Sequence, residues 1–371
     1  MESSGYCLIA EAIQHNSFFW AVFFKRRPFL FSLRRWRQVV VANSGCYNAA
    51  PGKKSSRSDL KTDPKIADKL CGVLLPMTTP FHQDGAVDFS ALRSNIAKWN
   101  ETAISGYIVL GSTGERVNLG EDEQLQVIGH AREVVPDDRI FIPGVGQQST
   151  RATIHEIEKL RATMAVDAVL VITPHFYRAA ITQDALVIHY RAVADAAPVP
   201  LILYSMPALT GIKIEPATAA ALSEHPNIIG IKDSSNDIAA LQETIKLVRD
   251  DFAVLTGNGT VLREALTAGA GGGILAVGCV APELCLAVLG AVKSGEHERA
   301  ERLQGALTPL AAAVTTRFGI GGLKAALDLI GYAGGHVRAP LRAPDDEARA
   351  ELRRCLKAAA HALLVEAPSP A

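Results

Sequence analysis

Two positions in the chain have side chains whose types and settings could do chemistry. Lys232 ends the apolar run IIGIK at 228–232, and Tyr204 ends the run PLILY at 200–204. Continuous Ile and Leu runs of this kind suit strands buried on both faces of a parallel sheet. An ammonium at the end of such a strand is costly unless its pKa falls or a partner answers its charge. A lysine held neutral is a nucleophilic amine, suited to forming a Schiff base with a ketone. The plainer alternative is that Lys232 only neutralises its neighbour Asp233. The chemical reading is preferred because perturbed lysines gather in functional sites.

The elements that must position these residues follow from the periodicity. Strand-like runs occur at 72–79, 106–111, 140–145, 168–173, 200–204, 228–232, 252–256 and 273–277. Helical patterns lie between them at 88–100, 121–135, 151–164, 181–197, 216–225, 239–250 and 261–268. Eight strands alternating with helices predict an α/β chain folded as a (β/α)₈ TIM barrel rather than an open doubly wound sheet. Helical stretches at 281–294, 296–317, 320–330 and 345–365 exceed what closure needs, so a C-terminal helical extension is expected beside the barrel. The domain plan is thus a leader and linker over 1–68, a barrel over 69–280 and closing and flanking helices over 281–371.

In such a barrel, chemistry sits where strands end and loops begin. Those ends hold hydroxyls and small residues with one lysine and one tyrosine. Gly111-Ser112-Thr113-Gly114 offers backbone N–H groups and hydroxyls in a tight turn, a suitable nest for a carboxylate, although many such turns merely connect a strand to a helix. Gly257 and Gly259 lack the third glycine of a dinucleotide loop, where Leu262 stands. His175 has no second histidine at ligand spacing, so no metal site is expected.

At 371 residues with 48% hydrophobic and 20% charged, the chain can bury a large core. Its net charge of +0 gives no electrostatic case for nucleic acid or an anionic membrane as partner. Six scattered cysteines (Cys7, Cys46, Cys71, Cys279, Cys285 and Cys355) without a CxxC pair suit a reduced, intracellular protein better than a disulfide framework. The leader is different in kind. Residues 12–58 contain no Asp or Glu but nine Lys and Arg, and Phe29, Leu33, Trp36 and Val40 share one helical face. Acid-poor, Arg-rich and amphipathic is the signature of an organelle transit peptide. Residues 52–63 read as a polar linker.

The motifs GSTGE at 111–115, YSMPALTG at 204–211 and GIKDSS at 230–235 make the chain, from about Cys71 to Leu341, resemble the dihydrodipicolinate synthase/N-acetylneuraminate lyase family. Within it, ITPHFYR at 172–178, HPNIIGIKDS at 225–234 and the segment 314–341 resemble most the mitochondrial 4-hydroxy-2-oxoglutarate aldolase branch. The resemblance implies a class I pyruvate-dependent aldolase, a carbon–carbon lyase that cleaves 4-hydroxy-2-oxoglutarate to pyruvate and glyoxylate. Lys232 would be the Schiff-base lysine and Tyr204 the proton-shuttling phenol. Ser112 and Thr113 would hold the carboxylate of a 2-oxo acid, Ser234 would sit beside the imine, and Gly257 and Ile274 would line the pyruvyl pocket. No cofactor or metal is called for, since the imine is the electron sink. The partners implied are a small-molecule 2-oxo acid and further copies of the chain in a homotetramer. The location implied is mitochondrial, otherwise cytoplasmic.

Two departures from the family pattern matter, one for the substrate and one for the hydroxyl relay. The synthase branch places an arginine for a distal carboxylate where this chain has Leu209, which argues against aspartate semialdehyde as acceptor. PALTG is also close to the sialate lyase pattern, so an N-acetylneuraminate lyase-like or 2-oxo-3-deoxy sugar acid aldolase is the alternative. Many members insert a tyrosine from a neighbouring subunit into the hydroxyl relay; Phe176 falls at that position and Tyr177 one residue on. A reading of another class is a non-catalytic ligand-binding barrel, which a fold alone would permit.

Overall fold

The computed structural model describes residues 64–366. The leader signature over 12–58 and the linker lie outside the described residues. After α1 (Pro64–Leu70) come eight strands: β1 (Val73–Pro76), β2 (Gly106–Val109), β3 (Ile140–Val145), β4 (Val169–Ile172), β5 (Leu201–Ser205), β6 (Ile228–Asp233), β7 (Ala253–Thr256) and β8 (Gly272–Ile274). Each pairs in parallel with the next, and β8 pairs with β1 to close the barrel. Helices α2 (Phe89–Trp99), α3 (Glu121–Arg132), α4 (Thr150–Thr163) and α5 (Gln183–Ala196) connect the first five strands. The short α6 (Pro207–Thr210), then α7 (Pro216–Ser223), α8 (Ile238–Leu247) and α9 (Leu262–Thr267) connect the rest. The expected (β/α)₈ TIM barrel is the fold found.

Alternation along the strands divides the core in two. Leu74, Ile108, Ile142, Leu170, Ile202, Tyr204, Leu255 and Ile274 fill the barrel interior. Their neighbours Leu75, Val109, Phe141, Val171, Leu203 and Ile231 point outward under the helices. Both strand faces are thereby buried, which is why these segments are continuously apolar. Short capped loops aim the helices. Asp88, Ser149, Thr182 and Asp237 each accept an amide hydrogen bond near the start of α2, α4, α5 and α8, a contribution of about 1 kcal/mol apiece.

Beyond the barrel, α10 (Pro282–Lys293) follows β8, and α11 (His297–Ala312), α12 (Gly319–Leu329) and α13 (Asp346–Glu366) form the C-terminal extension. Helix α13 packs on α11 and α12, and α10 on α11. Between α12 and α13 the chain returns to the barrel mouth, where the His336 amide donates to the Phe81 carbonyl at 2.9 Å.

The structure differs from the sequence reading in two places. The eighth strand ends at Ile274, and residues 276–279 form a 3₁₀ turn instead of continuing to 277. The turn brings the Gly278 backbone so close to β1 that a Cβ there would lie 2.6 Å from Leu75 Cδ2. The long helical stretch 296–317 is α11 followed by a π turn over Ala313–Arg317, which closes with the Phe318 amide on the Ala313 carbonyl at 3.1 Å. Among the described cysteines, Cys279, Cys285 and Cys355 are free.

Candidate active site

Lys232 and Tyr204 meet because adjacent parallel strands place them directly opposite one another in register. Lys232 Nζ lies 4.2 Å from the centroid of the Tyr204 ring. Both residues are about one-twentieth exposed, at 5% and 4%. Strand alternation points Lys232 into the barrel and Asp233 the other way. The Asp233 carboxylate instead accepts the Ser235 amide at 2.6 Å. Among the described residues no carboxylate forms an ion pair with Lys232, so simple neutralisation of Asp233 is not what this lysine does.

The hydroxyl of Tyr204 is 3.3 Å from Ser112 Oγ. Ser112 opens a 3₁₀ turn over Ser112–Gly114, flanked by Leu110 and Glu115 with φ of 57° and 54°. Two non-glycine residues in the left-handed region mark a strained loop that its surroundings must hold. Thr79 Oγ1 donates to the Gly114 carbonyl at 2.8 Å. The Glu115 carboxylate, fully enclosed, takes Lys324 Nζ at 2.5 Å and the Arg338 amide at 3.0 Å. Lys324 Nζ also donates to the His336 carbonyl at 2.6 Å, and Arg338 pairs with Glu123. That pairing holds the Glu123 carboxyl down at about 2. The turn so clamped leaves the amides of Ser112 and Thr113 without an acceptor among the described residues. Two N–H groups beside two hydroxyls suit an incoming carboxylate.

Gly257 closes the opposite side. A Cβ there would fall 1.8 Å from Ser234 Oγ and 2.9 Å from Lys232 Cε, so only glycine lets the β7 loop approach the lysine stem. Ile274 belongs to the interior layer together with Tyr204 and Leu255. The fold therefore gathers Lys232, Tyr204, Ser112, Ser234 and Gly257 at one end of the barrel, with Thr113 in the same turn and Ile274 at the end of β8. The hydroxyls of Thr78 and Thr173, at the ends of β1 and β4, are buried without a partner among the described residues. Leu209 sits on α6 and is exposed. Phe176 and Tyr177 are exposed as well and pack edge to face at 5.1 Å. Within the chain neither bonds to Ser112, Thr113 or Tyr204.

Sequence reasoning did not find the clamp of Glu115, Lys324 and Arg338. Its signal was a lone lysine in the otherwise apolar stretch GIGGLKAAL at 319–327. Among the described residues no group of three His, Cys, Asp or Glu is placed to hold a metal ion. No helix among them is long and apolar enough to cross a membrane.

The dihydrodipicolinate synthetase family model matches residues 69–359. The chain belongs to this family. A 4-hydroxy-tetrahydrodipicolinate synthase of Haloarcula marismortui is 37% identical over 286 residues, which cover 77% of this chain and 92% of the relative. A dihydrodipicolinate synthase of Bacillus anthracis superposes with a TM-score of 0.74 at 28% identity, covering 77% of this chain and 97% of the other. The chloride-inhibited synthase of Acinetobacter baumannii, solved with pyruvate, gives 0.74 at 30% identity over 78% of this chain and 98% of its own. The chain is thus an enzyme, a lyase of the class I, pyruvate-dependent aldolase type that acts on small molecules. The named relatives are synthases, so the comparisons give the family and leave the likeness to the mitochondrial aldolase branch resting on the motifs alone.

Proposed function

We propose that this enzyme cleaves 4-hydroxy-2-oxoglutarate to pyruvate and glyoxylate through an imine on Lys232. The observation that carries the proposal is the buried Lys232–Tyr204 couple, with Nζ 4.2 Å from the phenol ring and the phenol hydroxyl within reach of Ser112. Ser112, Thr113 and their amides take the C1 carboxylate. Neutral Lys232 attacks the C2 ketone, and loss of water leaves an iminium conjugate to C3. The Tyr204 phenolate removes the proton of the C4 hydroxyl. The C3–C4 bond then breaks, its electron pair neutralises the iminium to an enamine, and glyoxylate departs. A proton returned to C3 and addition of water to C2 release pyruvate and the free lysine. Ser234 and Gly257 bound the imine, and Ile274 lines the floor.

The apolar Leu209 supports cleavage over synthesis from aspartate semialdehyde. The likeness of PALTG at 207–211 to the sialate lyase pattern favours, as a second reading, an N-acetylneuraminate lyase-like or 2-oxo-3-deoxy sugar acid aldolase, which shares the pyruvyl half. Incubation with pyruvate and borohydride, read by mass spectrometry, should yield one adduct on Lys232. Its absence would leave a ligand-binding barrel. Steady-state cleavage of 4-hydroxy-2-oxoglutarate, N-acetylneuraminate and 2-oxo-3-deoxy sugar acids, beside condensation of pyruvate with aspartate semialdehyde, then tests the substrate. Condensation as fast as cleavage of the first would overturn the assignment and spare the imine. We extend the proposal to a homotetramer, to be read by light scattering. We further propose that residues 1–68 hold a basic mitochondrial leader followed by a linker, to be read by the location of a fluorescent fusion.

A further inference from the structure

We propose that Arg178 is the specificity residue that binds the distal carboxylate of a 2-oxo dicarboxylic acid. The inference rests on the function proposed above for the identity of the substrate, and supplies the cation that Leu209 does not. The strand-to-helix loops at the barrel mouth carry three Lys or Arg residues: Arg116, Arg178 and Lys213. Arg116 is paired with Glu156. Lys213 is held by Asp237 at 2.9 Å and by Glu215 at 3.8 Å. The guanidinium of Arg178 has neither an ion pair nor a hydrogen bond to any described residue.

Its position is nonetheless built. The loop leading to Arg178 is pinned by Gln148, whose side-chain oxygen accepts the amides of His175 at 2.9 Å and Phe176 at 2.8 Å. From there the arginine stem crosses to the β5 loop and lies on Gly211. A Cβ at 211 would fall 2.7 Å from Arg178 Cδ and 2.9 Å from its Nη1. Gly211 has φ of 69° and caps α6, its amide donating to the Pro207 carbonyl at 2.8 Å. The residue that lets α6 end there thus also clears the channel for the arginine. Leu209 stands two residues earlier on the same short helix, and Tyr204 ends the strand that leads into it. Arg178 therefore brings an unpaired, planar cation across the wall where the synthase branch carries its arginine. A guanidinium binds a carboxylate through two parallel N–H donors, a geometry that an ammonium does not reproduce.

The test separates this inference from the substrate proposed for cleavage. Borohydride trapping is titrated with 2-oxoglutarate and with 2-oxopentanoate, which differ only in carboxylate against methyl at the far end. The native enzyme should reach half-saturation at a lower concentration of the dicarboxylate. Arg178→Met keeps the stem and should reduce that preference by about tenfold or more, the scale of a charge-assisted hydrogen bond, and Arg178→Lys should retain part of it. A native enzyme without the preference, or an Arg178→Met ratio within about twofold of the native one, overturns the assignment. If the ratio shifts while native protein does not cleave 4-hydroxy-2-oxoglutarate, Arg178 stands as the carboxylate-binding residue and the proposed substrate falls. If cleavage is seen and the ratio does not move, the reverse holds.

Discussion

At the scale of single residues, the chemistry proposed divides between an amine and a phenol, and substitution should separate them. Lys232→Ala removes the nucleophile without leaving a buried charge. It should abolish the borohydride adduct and lower cleavage by at least about a thousandfold, while circular dichroism stays native. Cleavage near the native rate would assign the imine to another amine. Tyr204→Phe keeps the ring against Lys232 and removes only the hydroxyl. The adduct with pyruvate should still form, and cleavage should fall by at least about a hundredfold, the usual contribution of a general acid–base group. The two positions were legible in the sequence because each interrupts an apolar strand with a functional group at its end. Arg178 was not, since its meaning depends on Gly211, which is remote along the chain and adjacent only once the β4 and β5 loops are formed.

At the scale of elements, the loop 111–115 depends on the C-terminal extension. Glu115 is in the left-handed region with its carboxylate enclosed, and the charge that answers it comes from α12. Breaking such a pair by removing one partner costs about 3–5 kcal/mol, because the other charge stays buried. Lys324→Met should therefore destabilise the protein on that scale in urea unfolding. The double variant Lys324→Met with Glu115→Gln should recover a good part of the loss. A double variant no more stable than Lys324→Met would mean that the lysine acts through packing on Phe81, whose ring centroid lies 4.4 Å from Nζ. Strand and helix positions were readable to within a few residues because periodicity and caps are local; β3 runs from 140 to 145 in both sequence reading and structure. The early end of β8 and the π turn were not, since both answer to neighbours brought in by closure of the barrel.

At the scale of the whole molecule, a buried histidine sets a limit on acid stability. His189 on α5 is enclosed, touches Thr150 Oγ1 at 2.9 Å and has its pKa pushed down to about 4 by burial. The unfolded chain takes up a proton at this residue near pH 6.5, whereas the folded chain resists until about pH 4. Stability contributed by the neutral histidine is thus complete above the unfolded value and is lost as pH falls through that window, on the order of 3 kcal/mol in all. Urea unfolding followed from pH 7.5 to 4 should show this slope, and His189→Gln should flatten it. A slope unchanged in that variant would place the proton uptake elsewhere, for example at Glu123, whose window opens near the unfolded value of 4.5 and runs down to the value of about 2 at which Arg338 holds its carboxyl.

The direct register of Tyr204 on Lys232 has a consequence for how such an enzyme can change over generations. Their spacing is set by the ladder between β5 and β6, about 4.8 Å from strand to strand, and by no loop. The groups proposed to meet the departing aldehyde, by contrast, ride on the β4 and β5 loops, and loops tolerate exchange and insertion. Heritable variation can therefore explore new acceptors while bond-making machinery is inherited intact. A lineage selected in the laboratory for another aldehyde should accumulate its changes around positions 176–178 and 206–211, and keep 204 and 232 as ancestral capital.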